Sequence, residues 1–352
     1  MGGHLPEFAL PAFFGASLIA LQKKDGGLRP IAVGSVYRRI TAKVATSSVY
    51  GQIGAELRPV QLGVATRNGC EAAVHAVRAY IQQSEVNEDR ILVKLDVSNA
   101  FNSVRRDSML EAVRARTPGI YPLVWQGNSQ AAPLFIGEDQ VMSKTGVQQG
   151  DPLSSLLFSL TIDTATRAAD TDINVWYLDD GTLAGPLPSV LTSIERVRKE
   201  VEKCGLHLNG KKCEVAFLGG PEAQQKQKVM QQLHGILPDA NEVYLDDLEL
   251  LGAPIGDSRT RHRLLLGKQD VQKLTWRLRE LEEPHQAFFL VKNCVSLPRL
   301  LYLLRSSPAC RQLDLLTDID EIVRRGLKTV TNVQLRDDAW RQATLPVSLG
   351  GL

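Results

Sequence analysis

The chain has 352 residues, enough for two or three domains, and 43% of them are hydrophobic while 23% are charged. This composition is typical of globular proteins and excludes a disordered, collagen-like or coiled-coil chain. The net charge of +2 is unevenly distributed, with +4 in residues 1–60, −7 in residues 61–256 and +5 in residues 257–352. Basic ends around an acidic middle suit a polyanion held at both ends, but solvated helix faces produce the same pattern.

The five cysteines are an odd number and include no Cys-x-x-Cys pair. This argues against a disulfide framework and a zinc site and favours a reducing compartment, so we expect an intracellular protein that is not secreted. The apolar stretch 8–21 is interrupted by Pro11 and Gly15 and has no basic residue before it. It is therefore typical of a buried strand or helix and not of a signal peptide or a membrane span.

Several secondary-structure elements can be predicted in chain order. Residues 18–33 contain two apolar runs around Asp25, Gly26 and Gly27, which predicts a β-hairpin because glycine accepts the positive φ of such a turn. Apolar residues recur at helical spacing in several further segments. The helices predicted from this spacing cover residues 36–50, 71–82, 153–169, 190–204 and 263–328.

Three aspartates stand at the ends of apolar runs. Residues 91–95 predict a buried strand that ends at Asp96, and residues 173–178 predict a second strand that ends at Asp179 and Asp180. If the strands are neighbours, the carboxylates converge, and a bound cation would relieve their repulsion. Such oxygen ligands select Mg²⁺ or Mn²⁺, and two ions could serve phosphoryl transfer. The Asp-Asp-Gly sequence is also typical of an ordinary β-turn, so these residues alone leave both interpretations open.

Six segments, in order, resemble motifs of reverse transcriptases, most closely those of the non-LTR retrotransposon type. The resemblance runs from about Leu18 to Leu352. A single Tyr-x-Asp-Asp match is weak evidence, whereas six motifs in order are specific. The segments are QKKDGGLRPIAV (22–33), KLDVSNAFNSV (94–104), GVQQGDPLSSLLF (146–158), WYLDDG (176–181), GLHLNGKKCEV (205–215) and LELLGAPIG (248–256).

The resemblance implies catalytic and metal-binding roles for matching residues. Asp96, Asp179 and Asp180 would coordinate two Mg²⁺ ions, or Mn²⁺, with the backbone carbonyl of Val97 as a further ligand. Phe101 would exclude the ribose 2′-hydroxyl and so favour deoxynucleotides, although a plain core aromatic is the alternative.

The resemblance also implies contacts with nucleotide and primer, although lysines beside a turn are often only solvated. Asp151 is expected to be structural. Leu178 stands where related elements more often have alanine, and Asn102 where aspartate is common, but neither change removes a metal ligand. The implied substrate contacts are Lys23 or Lys24 with Arg29 for the triphosphate, Gln149 and Gly150 for the nucleotide and template pocket, Lys212 near the pyrophosphate as a general acid, and Leu251 and Gly252 at the primer end.

The implied fold is an α+β right-hand polymerase with fingers, a palm built on a small antiparallel sheet, and a partial helical thumb. Residues 1–90 and 107–145 would form the fingers, residues 91–106 and 146–256 the palm, and residues 257–352 a thumb that we expect to be incomplete. The implied activity is that of an RNA-directed DNA polymerase, which uses dNTPs to extend a DNA primer on an RNA template. We expect it to act in the nucleus and not at a membrane.

Three alternatives stay open on the sequence. One is another polymerase of the same hand, either an RNA-dependent RNA polymerase or a group II intron maturase, and Phe101 argues against the RNA polymerase. The second is a repurposed descendant that binds nucleic acid or a protein without catalysis, against which the intact Asp96, Asp179 and Asp180 argue. The third is a metal enzyme of unrelated fold, which the ordered motifs make remote.

Overall fold

The chain divides into two compact units, Met1–Val243 and Tyr244–Leu352, and each is described by itself. Lys23 and Lys24, with the Asp25 of the predicted turn, lie outside the described residues. The fingers, palm and thumb borders given above stay predictions. The computed structural model describes residues 5–22, 26–84, 89–219 and 222–352.

The first unit contains both strands and helices, which confirms the predicted α+β class. Its strands are β1 (Ala16–Gln22), β2 (Leu28–Gly34), β3 (Arg90–Leu95), β4 (Ala132–Ile136), β5 (Asp139–Ser143), β6 (Ile173–Tyr177), β7 (Asp180–Pro186), β8 (Glu214–Phe217) and β9 (Asn241–Glu242). Its helices are α1 (Leu10–Phe14), α2 (Val36–Leu57), α3 (Gly69–Gln83), α4 (Ala100–Ser103), α5 (Arg106–Arg116), α6 (Tyr121–Asn128), α7 (Ser154–Thr166), α8 (Leu187–Lys203) and α9 (Ala223–Ile236).

A five-stranded sheet with the order β6-β7-β3-β8-β9 forms the centre of this unit. β3 pairs antiparallel with β7 and β8, and β6 pairs antiparallel with β7, as expected for the palm. The edge pair β8 and β9 is parallel, so the sheet is mixed and not purely antiparallel. Leu92 and Val93 of β3 are fully buried, because neighbouring strands and helices cover this strand.

The predicted hairpin forms the start of a second sheet. β1 and β2 pair antiparallel from Ala16 with Gly34 to Gln22 with Leu28, and the sheet order is β2-β1-β4-β5. The expectation that residues 8–21 are buried is only partly correct. Phe14 and Ala16 are buried, but Phe8 is 86% exposed and Leu21 is 52% exposed, since this sheet leaves much of β1 open.

Helices of the first unit follow the predicted spacing with small shifts at their ends. α2, α3, α7 and α8 correspond to the predicted segments, and α2 continues to Leu57, seven residues beyond its predicted end. The hydroxyl of Ser35 accepts a hydrogen bond from the N–H of Arg38, which caps the start of α2. Gly205 follows α8 with φ of +75°, a conformation that favours glycine and ends the helix.

The second unit is a set of helices preceded by a small hairpin. The continuous helical pattern predicted for residues 263–328 is in fact broken into several helices, with prolines at residues 284 and 298 in or near the first turn of two of them. Its elements are β10 (Glu249–Leu250), β11 (Ala253–Pro254), α10 (Asp257–Arg277), α11 (Pro284–Leu290), α12 (Leu297–Ser306), α13 (Leu313–Thr331) and α14 (Asp337–Ala343).

One segment of this unit is apolar enough to be considered as a membrane span. Among the described residues, Pro284–Ser306 alone meets the length and composition of such a span, and 28% of its most apolar stretch is buried. A single segment of this kind is weak evidence for a membrane, so the expectation of no membrane stays a prediction.

The burial of β3 predicts where the first unit is most sensitive to truncation. Leu92→Ala should lower the free energy of unfolding by about 3 kcal/mol, because it removes buried methyl groups and leaves a cavity. Leu21→Ala, at an exposed leucine of β1, should change it by less than about 0.5 kcal/mol. Urea titration followed by circular dichroism measures both, and equal losses in the two variants would contradict the central position of β3.

Candidate active site

The three predicted aspartates are neighbours at one end of the central sheet. Antiparallel pairing places Leu95, the last residue of β3, opposite Gly181 of β7, so Asp96 lies next to Asp180. Asp179 lies in the two-residue turn between β6 and β7, where Tyr177 pairs with Asp180. Pairing of β3 with β7, which lie far apart in sequence, therefore brings three carboxylates to the same end of the sheet.

Burial and neighbouring carboxylates raise the pKa values of Asp179 and Asp180. The pKa of Asp179 is raised to about 6, mainly because burial removes hydration from its carboxylate and also because the charges of Asp180 and Asp96 lie close by. Asp180 is an exposed residue, yet surrounding atoms remove enough hydration from its carboxylate to raise its pKa, with a further contribution from Asp96. Arg29 lowers both pKa values, and Lys94 lowers that of Asp180. The cluster is thus short of positive charge.

This donor set fits a hard divalent cation, but it does not enclose one. Across the part of the chain that the structure describes, no three His, Cys, Asp or Glu side chains are close enough together to hold a metal ion. Mg²⁺ is commonly held by one or two carboxylates and completed by water and substrate phosphates. Asp96 and Asp180 face a cavity of about 350 Å³ that leaves room for such ligands. The backbone of Val97, the further predicted ligand, bridges to Leu208.

Lysines line the same cavity as these carboxylates. Lys211 and Lys212 are exposed beside it, in a short helical turn that hydrogen bonds to Asn209, whose N–H in turn donates to the carbonyl of Asp96. The structure therefore brings the predicted Lys212 to the aspartates. Lys94 also lines the cavity, and the sequence interpretation missed it. The signal was present, since residues two apart in a strand share a face and Lys94 precedes Asp96 by two.

Phe101 is fixed by a ring and by backbone contacts. It lies in α4, half-buried, and stacks on Phe158 of α7 with ring centroids 4.6 Å apart. Its carbonyl accepts a hydrogen bond from the N–H of Val147 at 2.7 Å. A Cβ on Gly146 would lie only 2.5 Å from that carbonyl, so only glycine allows this close approach. The gate role of Phe101 stays a prediction.

Gln149 and Gly150 contact the hairpin of the second sheet. The carbonyl of Gln149 accepts a hydrogen bond from the N–H of Ala32 at 2.7 Å. Gly150 has φ of +109°, and a Cβ there would lie 2.7 Å from the carbonyl of Ala32. The Oε1 of Gln149 is buried without a hydrogen-bond partner among the described residues. A buried acceptor of this kind is costly unless a ligand donates to it, but the role of Gln149 in a nucleotide pocket stays a prediction.

Asp151 holds the loop in place, as expected. Its carboxylate pairs with the guanidinium of Arg38 at 2.7 Å and accepts a hydrogen bond from the N–H of Leu153 at 2.8 Å. Arg38 also donates to Gln148 at 2.7 Å, so the start of α2 and the loop before α7 are joined. The sequence interpretation missed Arg38, because Gln148 and Asp151 lie more than 100 residues away from it in the sequence.

The remaining predicted contacts are those for the triphosphate and for the primer end. Arg29 is exposed on β2 and close enough to lower the pKa of Asp179, whereas the two hairpin lysines lie outside the described residues. Leu251 and Gly252 form the turn between β10 and β11 in the second unit, and both have positive φ. The hydroxyl of Tyr302 donates to the carbonyl of Leu251 at 2.8 Å. Their role at the primer end stays a prediction.

Comparisons with known proteins identify relatives of the chain. A family model described as reverse transcriptase (RNA-dependent DNA polymerase) matches residues 21–255. The 132 kDa protein of the retrotransposable element SLACS from Trypanosoma brucei gambiense is 24% identical over 95% of this chain. The retrovirus-related Pol polyprotein of a type-1 retrotransposable element R2 from Bradysia coprophila is 26% identical over 96%. The chain spans 28% and 41% of the length of these two relatives.

A solved structure gives a weaker likeness. An apo telomerase from Candida tropicalis overlaps with 93% of this chain and 64% of its own, at 12% identity and a TM-score of 0.48, which carries no argument by itself. The family match over two thirds of the chain and the two retrotransposon relatives confirm the resemblance read from the six segments. They also support the right-hand class of the α+β fold.

The raised pKa of Asp179 predicts a pH-dependent cost of folding. In the unfolded chain Asp179 has the ordinary aspartate pKa of 3.8, whereas in the folded state its pKa is about 6. As pH rises, the unfolded chain therefore loses the Asp179 proton first, and the free energy of unfolding falls until about pH 6. Without metal, Asp179→Asn should therefore gain stability over the wild type, by on the order of 2 kcal/mol more at pH 8 than at pH 4.5. Urea unfolding in a chelator measures this difference.

The matched control is Asp107, an aspartate whose pKa is shifted in the opposite direction. The hydrogen bond from Arg105 lowers the pKa of Asp107 to about 2, so its charge favours the folded state. Asp107→Asn should therefore give no gain at pH 8. A gain in both variants, or a pH-independent gain at Asp179, would contradict the raised pKa of Asp179.

Proposed function

Because the chain belongs to the reverse transcriptase family, we propose that it extends a primer 3′-hydroxyl with dNTPs on an RNA template. The observation that carries this proposal is that Asp96, Asp179 and Asp180 lie at one end of the central sheet, where Asp96 and Asp180 line an open cavity together with Lys212. Membership of the family implies dependence on a divalent metal.

We propose that Asp96, Asp179 and Asp180, with the carbonyl of Val97, hold two Mg²⁺ ions, for which Mn²⁺ could substitute. When bound, such ions polarise the phosphoryl oxygens and favour ionisation of the primer hydroxyl. The raised pKa values of two of these carboxylates support this assignment, because a cation would offset both the loss of hydration and the repulsion that raise them.

Basic residues would stabilise the charge that moves onto the leaving group. Phosphoryl transfer depends mainly on positioning and on stabilising charge on phosphate oxygens. Lys212, beside the cavity, would donate a proton to the departing pyrophosphate. Arg29, whose charge lowers the pKa of Asp179, would bind the triphosphate together with Lys23 or Lys24.

The nucleotide and the primer would be positioned by the remaining predicted residues. The Oε1 of Gln149, which has no hydrogen-bond partner within the described ranges, offers an acceptor for a hydroxyl or amine of the bound nucleotide, and Gly150 leaves its backbone open to a close approach. Leu251 and Gly252 would support the primer end. Phe101, fixed by its stacking on Phe158, would occupy the space of a ribose 2′-hydroxyl.

The decisive experiment is Mg²⁺-dependent extension of a DNA primer on an RNA template. Asp179→Asn should reduce the rate by more than about 100-fold, since the loss of a ligand costs more than the loss of an outer hydrogen bond. The Kd for the primer–template hybrid should stay the same, because no phosphate contact is removed. Fluorescence anisotropy of the labelled hybrid measures this Kd.

Each other outcome favours a different alternative. A wild type that binds the hybrid without extending it would favour a repurposed nucleic-acid-binding protein. An Asp179→Asn variant with full activity would contradict the metal assignment. Efficient extension with ribonucleotides in place of dNTPs would favour an RNA polymerase of the same hand.

Sugar selection tests the role of Phe101. Phe101→Ala should raise ribonucleotide incorporation relative to dNTP incorporation by on the order of 10-fold, because it opens space for the 2′-hydroxyl. Phe101→Tyr keeps the ring and should leave the ratio close to that of the wild type. The ratio of kcat/KM values for matched nucleotides measures this, and an unchanged ratio in the alanine variant would remove the gate role.

A further inference from the structure

Gln61 is a fully buried polar residue that contacts the turn carrying Asp179. It lies in the loop between α2 and α3, and none of its surface is exposed. Its Oε1 accepts hydrogen bonds from the N–H of Leu178 at 2.7 Å and from that of Gly63 at 3.0 Å. Its Nε2 donates to the carbonyl of Leu178 at 3.0 Å. One side chain thus satisfies both backbone groups of a single residue in the turn.

The residue that Gln61 contacts has an unusual backbone. Leu178 has φ of +58°, in the left-handed region that a leucine rarely adopts. Such a residue stays there only when its surroundings fix the conformation. The paired hydrogen bonds from Gln61 provide that constraint, because rotation of the Leu178 backbone would break both of them.

The loop around Gln61 is itself attached to the sheet. The N–H of Trp176 donates to the carbonyl of Val60, and the N–H of Leu62 donates to the carbonyl of Trp176, both at 2.7 Å. These bonds extend the edge of the sheet at β6. The amide of Gln61 is therefore held on a rigid base, and not at the end of a mobile loop.

Gly63 allows the loop to approach the turn closely. A Cβ at this position would lie 2.6 Å from the backbone nitrogen of Leu178 and 2.8 Å from its Cγ. No larger side chain fits there without a shift of the turn. This packing is a second observation, independent of the amide hydrogen bonds, that the loop is shaped to the turn.

We propose that Gln61 is a positioning residue for the candidate active site. It fixes the Leu178–Asp179 turn and thereby the direction in which the Asp179 carboxylate is presented beside Asp180 and Asp96. Gln61 acts through the turn and does not itself contact substrate. The kinetic part of this proposal rests on the proposed polymerase function, whereas its effect on the turn does not.

Gln61→Met tests the proposal, because methionine has a similar length and forms none of the three hydrogen bonds. Ser193→Ala is the matched control. Ser193 is also buried, and its hydroxyl accepts a hydrogen bond from the N–H of Asp170 at 2.9 Å, near the opposite end of β6 from the turn. Both variants therefore remove buried hydrogen bonds between a side chain and the backbone of a loop at one end of β6.

We expect Gln61→Met to lower kcat by on the order of 100-fold, the usual effect of a small misplacement of a catalytic group. The KM for dNTP and the Kd for primer–template should not change, since neither surface is altered. Deuterium uptake by peptides covering residues 176–180 should be faster than in the wild type. Ser193→Ala should alter neither kcat nor this uptake.

Other results would overturn the proposal. Wild-type kcat and uptake in Gln61→Met would do so, as would equal changes in Ser193→Ala, which would indicate a general loss of stability. If Gln61→Met does not fold, Gln61→Asn keeps the amide but shortens its reach by one methylene, and the same two results are expected of it. If the wild type extends no primer, the proposed function fails, while the deuterium uptake still decides whether Gln61 fixes the turn.

Discussion

The pairing of β3 with β7 is the constraint on which the rest of the site depends. A slip of one residue would turn every side chain of β3 to the other face and would separate Asp96 from Asp180. The burial of residues 91–93 opposes this slip, because a shift by one residue in either direction would bring Arg90 or Lys94 into a position that a buried apolar residue now holds. Apolar burial in the middle of the strand therefore fixes the position of a charged group at its end.

The charges at this end are only partly balanced. Lys94 and Arg29 come from two different sheets, and each lowers the pKa of at least one aspartate. Lys94 is also paired with Glu214 at 2.5 Å, which reduces what it can offer the carboxylates. The remaining deficit of positive charge, next to an open cavity, is what makes this part of the acidic middle suited to a cation. The negative net charge of the middle of the sequence is thus reflected in the deficit of positive charge around these aspartates.

The sequence predicted those features that local patterns encode. Asp96 and Asp179 could be found because each follows an apolar run, and α2 because its spacing is helical and Ser35 caps it. Gln61 could not be found, since its partner Leu178 is 117 residues away and a glutamine in a loop has no pattern of its own. The broken helices of residues 263–328 were missed for a related reason, because the helical period continues across their ends.

Contacts between distant loops join the separate motifs into one framework. The loop before α7 bonds to β2 through Gln149 and Ala32, and it packs on Phe101 through Gly146. β2 in turn carries Arg29. Phe101 follows Asp96 by five residues. Backbone hydrogen bonds therefore connect the segments that carry the proposed contacts for triphosphate (Arg29), sugar (Phe101) and metal (Asp96). Because these bonds are between backbone groups, side chains in the pocket could change while the spacing among the three contacts is kept.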